Sequence, residues 1–346
     1  MRFGEGTGTQ QGMFDGFAHV WTPVTLARRL KRNRPLAVTF AGERLVFFRD
    51  ATGTARALLD RCPHRGVALS LGAVKDGCLE CPFHAWRFDG AGACVSVPLN
   101  PDAKRERLFA TSVPTRELAG LLWVYTAPLA SPHAEPMVPE TLTRPGLART
   151  EFEVTWKAHW TRAMENMLDS PHVPFLHRNT IGRFVRPFLK PDTRMDIDWN
   201  ETPFGAVLPG YLDGDRAHSS GNLEFWKPNM MVLNIMPDQK FRIHALCVPA
   251  EEDHVRMIII GTRAFATVAL LNPLFNWSNK RITEEDRAVV ESSWPTRVPP
   301  PAEERSVRTD KATLQFRRYF FETLAPSRAE APSRALELPA MGSAAS

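Results

Sequence analysis

Cys62-Pro63-His64-Arg65-Gly66 and Cys81-Pro82-Phe83-His84-Ala85-Trp86 each place one thiol and one imidazole within a few residues, and sixteen residues separate His64 from Cys81. Cys-x-His followed by Cys-x-x-His is a donor set for a two-iron, two-sulfur cluster, with thiolates on one iron and imidazoles on the other. Thiolates suit ferric iron bridged by sulfide. Neutral imidazoles leave the second iron less electron-rich, so the electron goes there. Cys62, His64, Cys81 and His84 thus read as a one-electron relay. Cys78-x-x-Cys81 alone is also half of a zinc ribbon or a redox dithiol, although Cys62-x-His64 is too tight for the matching zinc knuckle. Cys78, Cys94 and Cys247 read as buried thiols without a ligand role. Five cysteines, and no signal-like apolar stretch at Met1–Gly4, point to a reducing cytoplasm.

A second group lies in Met164–Asn179, MENMLDSPHVPFLHRN. Trp156, Trp160, Ala163 and Met167 recur at helical spacing, which predicts a helix carrying Asn166 and Asp169 on its other face, one turn apart. Pro171 and Pro174 then break or kink it. His172 and His177 are five apart, about 140° around a regular helix. Both imidazoles therefore reach one point only if the helix is distorted there. Read in isolation, histidines at this spacing are more often structural than metal-binding.

The stretch Arg61–Asp89 resembles a Rieske iron–sulfur domain. High-potential respiratory members carry a further cysteine in each loop; Val67 and Phe83 stand in those places, so the resemblance is to Rieske ferredoxins and Rieske oxygenases. The usual His-Gly-Trp is His84-Ala85-Trp86 here. With that domain in front, Asn166-x2-Asp169-x2-His172-x4-His177 resembles the mononuclear iron motif of the Rieske non-haem iron oxygenases. The resemblance implies an Fe(II) held by His172, His177 and a distant carboxylate. Family members commonly show Glu-Asp, a basic or small residue, an apolar pair and Glu; Glu285-Asp286-Arg287-Ala288-Val289-Val290-Glu291 matches, giving Asp286 as third ligand and Glu285 as runner-up. It further implies that Asp169 bridges a metal-bound histidine and a cluster histidine of a neighbouring subunit, in a head-to-tail homotrimer. Asn166 matches a residue that lies close to the iron.

The elements that must position these residues are legible to different degrees. A carrier alone needs about 100 residues, and the chain has 346. The reading is a flexible start over 1–12, an all-β Rieske domain over 13–126, a Pro-rich linker over 127–148, a catalytic domain over 149–324 and a disordered tail over 325–346. Lys75-Asp76-Gly77 reads as a turn bringing the two cluster loops together, two hairpin loops pinching the cluster. Met230–Met236, Phe241–Val248 and Val255–Ala264 read as adjacent antiparallel strands. Thr283 reads as the cap of an acidic-first helix carrying Asp286. Arg308–Lys311 and Phe316–Tyr319 resemble the last helix of several family members. The expected fold is α+β: the Rieske domain, then a helix-grip domain with an antiparallel sheet covered by helices. Met230, Met231, Met236, Phe225 and Trp226 are candidates for the substrate wall.

No run approaches the roughly 20 apolar residues of a membrane helix. The charge of +5 is a weak pointer to an acidic partner and none to nucleic acid. Without a G-x-G-x-x-G turn or a further four-cysteine set, electrons must arrive from another protein, a separate NAD(P)H-dependent reductase with or without a ferredoxin. The resemblance implies an α-only monooxygenase component that hydroxylates or oxidatively dealkylates a cyclic, largely apolar substrate with O2. The alternatives are a ring cis-dihydroxylating dioxygenase and, in another class, an electron carrier with an inactive second domain.

Overall fold

Strands dominate the N-terminal part because β-branched and aromatic residues alternate between short turns. In the computed structural model, which describes residues 13–326 apart from 15, 129, 130, 133 and 220, three small antiparallel sheets form there. The strands are β1 (Trp21–Leu26), β2 (Leu36–Phe40), β3 (Glu43–Arg49), β4 (Ala55–Leu59), β5 (Ala73–Lys75), β6 (Cys78–Glu80), β7 (Arg87–Phe88), β8 (Cys94–Ser96), β9 (Ser112–Val113), β10 (Thr115–Leu118) and β11 (Leu121–Tyr125). Their orders are β1-β11-β10, β2-β3-β4-β9 and β5-β6-β7-β8. The sheet β5–β8 shares with β3 and β4 a core of its own, Val46, Phe48, Leu58, Leu69, Leu79 and Phe88, in which Cys62, Cys81 and Cys94 are buried. The β5–β6 hairpin turns on Asp76 (φ 51°) and Gly77 (φ 74°), the left-handed pair a two-residue turn requires.

The C-terminal part is one eight-stranded antiparallel sheet. It comprises β12 (Ala148–Trp156), β13 (Met195–Ile197), β14 (Asn200–Thr202), β15 (Gly205–Leu212), β16 (Gly221–Trp226), β17 (Met230–Met236), β18 (Phe241–Glu251) and β19 (His254–Arg263), in the order β12-β19-β18-β17-β16-β15-β13 with β14 on β15. The strands expected after Met230 are therefore present. Among the described residues four α-helices accompany the sheet: α1 (Trp160–Leu168), α2 (Val173–Leu176), α3 (Asn272–Val290) and α4 (Lys311–Tyr319). The α+β, helix-over-sheet expectation holds.

Strand parity decides which side faces what. Glu151 and Glu153 of β12 turn to the N-terminal part, where Arg28, Arg29 and Thr25 bond them. The even residues turn the other way: Phe152 lies under Lys280 of α3, and Thr150 lies beside Asn279. One hydrophobic core continues from Phe14, Phe17 and Phe40 through Trp160 to Phe316 and Phe320.

Two expected element boundaries are corrected. Trp156 is the last residue of β12, and the helix begins at Trp160, with His159 as N-cap; the helical spacing of Trp156 was coincidental to a buried strand end. Thr283 is not a cap. Pro273 starts α3 ten residues earlier, and the Thr283 hydroxyl donates to the Asn279 carbonyl one turn back, 2.8 Å away. Among its described residues, segment 127–147 holds one short 3-10 helix, Glu140–Leu142, with Thr141 and Leu142 buried. The ends read as loosely tied, 1–12 and 325–346, fall outside the described residues save Ala325 and Pro326, which continue the chain after α4.

Candidate active site

The two cluster-type loops share one backbone frame. The Cys62 N–H donates to Val67 O and the Gly66 N–H returns to Cys62 O; the Cys81 N–H donates to Trp86 O and the Ala85 N–H returns to Cys81 O, all within 2.8–3.1 Å. Gly66 (φ 72°) and Ala85 (φ 54°) occupy matching left-handed positions. Only the second loop joins paired strands, β6 and β7. The first runs from β4 into a different sheet, so the expectation of two hairpin loops is half met. The frame buries Cys62 and Cys81 and leaves His64 half-buried and His84 exposed. The Nδ1 atoms of His64 and His84 lie 3.2 Å apart, and Trp86 stacks on His64 at 4.4 Å. Burial first, then the neighbouring Cys81, pushes the Cys62 thiol up to about 11. Desolvation, His84 and Arg65 hold His64 below its ordinary value. Two buried thiols and two outward imidazoles that crowd one another fit a cationic cluster, since positive charge would relieve both strains. Cys78 sits on β6 and Cys94 and Cys247 are buried, all three as free thiols.

The second group assembles because α1 stops. Asp169 leaves the helix at its C-cap, Ser170-Pro171 reverses the chain, and α2 makes a single turn with Pro174 in its first positions. His172 and His177 stand at the two ends of that turn, ring centroids 5.2 Å apart. Asp286 comes from α3, only 4% exposed. Its Oδ1 lies 3.0 Å from His177 Nε2 and 3.6 Å from His172 Nε2, yet makes no hydrogen bond. Two imidazole nitrogens and this buried carboxylate oxygen, three donor atoms in all, converge on one point, an environment that a cation satisfies.

Each imidazole also has a carboxylate behind it. Glu285 lies 2.8 Å from His177 Nδ1 and accepts from the Thr180 hydroxyl at 2.7 Å; Asp169 lies 3.4 Å from His172 Nδ1. Burial opposes a charge on His177, but Asp286 and Glu285 together raise it above its ordinary value. Glu285 is thus turned away from the convergence point that Asp286 faces, which separates the two acids that sequence matching left one residue apart. Asn166 lines the same cavity with its Nδ2 buried and unpaired.

The cavity is partly open to solvent. Its sheet wall is Leu223, Leu233, Ile235, Ile243, Ala245 and Ile259, and α3 adds Asn279, Ile282 and Thr283. The five residues expected as its wall are not there. Phe225 and Met231 lie in one cross-strand row with Ala245 but are covered, Phe225 by Phe316 and Tyr319. Met230 and Trp226, paired with each other, are of the opposite parity, and Met236 is exposed at the strand end. Composition picked out sulfur and aromatic rings; parity selected aliphatic ones. The cavity polar group that sequence reasoning missed is Asn279, seven residues before Asp286, which helical periodicity from Asp286 would have put on the same face.

Comparison with known proteins agrees with both halves. A Rieske [2Fe-2S] domain model matches residues 20–114, and a vanillate O-demethylase oxygenase C-terminal domain model matches residues 156–325. Chlorophyllide a oxygenase of Chlamydomonas reinhardtii is 29% identical over 257 residues, 70% of this chain and 38% of that protein. The 4beta-methylsterol monooxygenase of Methylococcus capsulatus is 34% identical over 220 residues, 60% of this chain and 58% of that one. The chain thus spans less than two thirds of the length of these two relatives. Methylxanthine N1-demethylase NdmA of Pseudomonas putida is 27% identical over 330 residues, 88% of both chains. The solved NdmA of P. putida CBB5 superposes with a TM-score of 0.75 at 26% identity, over 88% of this chain and 89% of that one. The chain therefore belongs to the Rieske non-haem iron oxygenases, with a [2Fe-2S] cluster in its N-terminal domain and a mononuclear iron in its C-terminal one.

Proposed function

We propose that the chain is the oxygenase component of a monooxygenase that hydroxylates or oxidatively dealkylates a cyclic, largely apolar substrate. One oxygen atom enters a substrate C–H bond, the other leaves as water, and a separate NAD(P)H-dependent reductase, directly or through a ferredoxin, provides two electrons. When bound, the cluster supplies electrons and the mononuclear iron supplies the place where dioxygen is reduced. Cys62, His64, Cys81 and His84 hold the cluster; His172, His177 and Asp286 hold the iron. Glu285 holds the His177 imidazole from behind, and Asp169 stands behind His172 at 3.4 Å, with no hydrogen bond to its Nδ1, so each ring would present Nε2 to the metal. Asp169 also acts as the bridge toward a cluster histidine of the next subunit in a head-to-tail homotrimer, located in the cytoplasm. Among the described residues no helix is long and apolar enough to cross a membrane.

The observation that carries the reading is the opening of the triad onto an aliphatic cavity: His172, His177 and Asp286 line the same space as Leu223, Leu233, Ile243 and Ile259. A pocket so lined excludes water from the reacting carbon and takes an apolar ring. The relative named for acting on a sterol fits such a substrate, and the one named for methylxanthines fits a cyclic one. The experiment is oxygen uptake by the reduced, iron-loaded protein over a panel of cyclic compounds, with products identified by mass. The reading expects one class of compound to give an oxygenated or dealkylated product coupled to uptake. Fully iron-loaded protein that consumes no oxygen beyond reoxidation of its cluster, whatever ring is offered, would contradict it.

A further inference from the structure

Exposed apolar side chains gather on two elements that meet beside the cavity. The first is 178–190, which follows His177 and carries two short 3-10 turns, Ile181–Phe184 and Arg186–Phe188. The second is the start of α3 with the segment leading into it. Phe184 and Phe188 of the first, and Leu270, Leu274 and Trp277 of the second, are each between 60% and 84% exposed. Single exposed apolar residues are ordinary, but large ones gathered on adjoining elements mark an interaction surface. The two elements adjoin through Glu285, which accepts from the Thr180 hydroxyl at 2.7 Å and lies 3.8 Å from Arg281. Leu274, Trp277, Arg281 and Glu285 follow at steps of three and four, so they form one stripe along α3. Both elements also line the cavity, through Ile181 and Ile282.

Charge decides what covers this surface. Residues 178–190 hold four cations, Arg178, Arg183, Arg186 and Lys190, and no acid, while 264–279 hold no charged residue before Lys280 and Arg281. Among the described residues none of the four cations is paired with a carboxylate, and Arg183 lies over the Phe184 ring. A second copy presenting its cluster loops would bring Arg61 and Arg65, both exposed, against them, like charge against like. Unpaired cations among exposed Phe, Leu and Trp match instead the headgroup region of an anionic bilayer, where phosphates take the charges and the rings settle at the acyl boundary. We propose that this surface docks the protein on a membrane of anionic phospholipid, beside the cavity that takes the apolar substrate. Contact is interfacial, because α3 keeps its other face on β12 and β19. A substrate dissolved in the lipid then has a short path to the cavity; that benefit rests on the oxygenase reading, whereas docking does not.

The test is sedimentation of the full, iron-loaded chain with vesicles at about 0.1 M salt, the vesicles being phosphatidylcholine alone or with about one third phosphatidylglycerol. Wild type is expected to bind the mixed vesicles about tenfold or more tightly than the neutral ones. Brominated acyl chains should quench part of its tryptophan fluorescence, and less of it in Trp277→Tyr. Arg183→Glu combined with Arg186→Glu should weaken binding about tenfold or more. The same double reversal at Arg32 and Arg34, both exposed in the N-terminal part, should leave it near wild type. Phe184→Ser combined with Phe188→Ser should also weaken it, with the visible spectrum of the cluster and the melting temperature unchanged, since these rings lie on the surface. No preference of wild type for the mixed vesicles, or equal loss from the two charge reversals, would overturn the proposal. Loss in the charge variant with none in the phenylalanine variant would overturn it in favour of an acidic protein as the occupant. Neither oxygen nor substrate enters the assay, so vesicle binding by a protein inactive on every ring would support docking and count against the oxygenase reading alone.

Discussion

The two cluster loops share a left-handed position but fill it with different residues. Gly66 and Ala85 hold equivalent places, each returning an N–H to the cysteine carbonyl, and both are left-handed. A Cβ there costs roughly 1 kcal/mol, only partly offset by the freedom glycine loses on folding. Ala85→Gly is expected to raise stability by roughly 0.5 kcal/mol, read as a higher urea midpoint with unchanged slope; a lower midpoint would mean that the Ala85 methyl makes a contact worth more than the strain. The departure from His-Gly-Trp was visible in the sequence, but its conformational cost was not, because φ is not written in residue identity.

The two neighbouring acids of α3 are also a matter for single residues. Asp286 Oδ1 faces both Nε2 atoms, whereas Glu285 meets Nδ1 of His177. Asp286→Asn should abolish retention of the mononuclear iron, and Glu285→Gln should keep it with affinity weaker by roughly 10- to 100-fold. Iron retained against a graded series of chelator concentrations distinguishes the two; equal loss in both variants would remove the division of roles. Sequence matching alone could not rank these residues, since one position of slippage exchanges them. Their helical direction does, 100° apart around α3.

Elements fix those residues by stopping and starting in the right places. The prolines at 171 and 174 were legible as a break, and the break is what brings His172 and His177 to one side. The start of α3 was misread because acids after Thr283 resembled a first turn, while the true start uses Pro273. Nothing in the sequence announced the clamp between α1 and α4. Arg317 of α4 bonds both Glu165 of α1 and Glu304, and Arg162 of α1 bonds Glu304 and the Pro295 carbonyl. Glu165 is largely buried, which raises its pKa despite Arg317 and Arg162. Arg317→Ala takes from that acid its closer partner and leaves it Arg162 at 3.3 Å, so it should cost about 1.5–3 kcal/mol. Denaturant unfolding monitored by far-UV circular dichroism reads this directly, and a loss under 1 kcal/mol would show that the network is surface-like.

At the scale of the whole molecule the core is continuous across both parts, so acid should weaken them together. His159 caps α1 by accepting from the Thr161 N–H, a task only a neutral ring performs, and His244 lies fully buried against Thr141. Burial, with nearby arginines, lowers each from 6.5 to about 3. A depressed folded value means the unfolded chain takes up the proton first. Their stability is therefore complete above pH 6.5 and falls as pH drops from 6.5 toward 3, by about 1.4 kcal/mol per unit for each ring. Melting temperatures of His159→Asn and His244→Asn should show a shallower acid slope than wild type; identical slopes would refute the assignment. The alternating strands and the two-domain order were legible from residue pattern, whereas this shared core was not, because contacts between distant segments leave no local period.

The central claim is that a second metal centre exists beside the cluster and is held by His172, His177 and Asp286. Iron analysis of anaerobically purified, iron-replete protein tests it most directly. The account predicts about three iron atoms per chain, two of them in the cluster, and the loss of one in His172→Ala with the visible spectrum of the cluster unchanged. Two irons in both proteins, with the cluster spectrum intact, would contradict it.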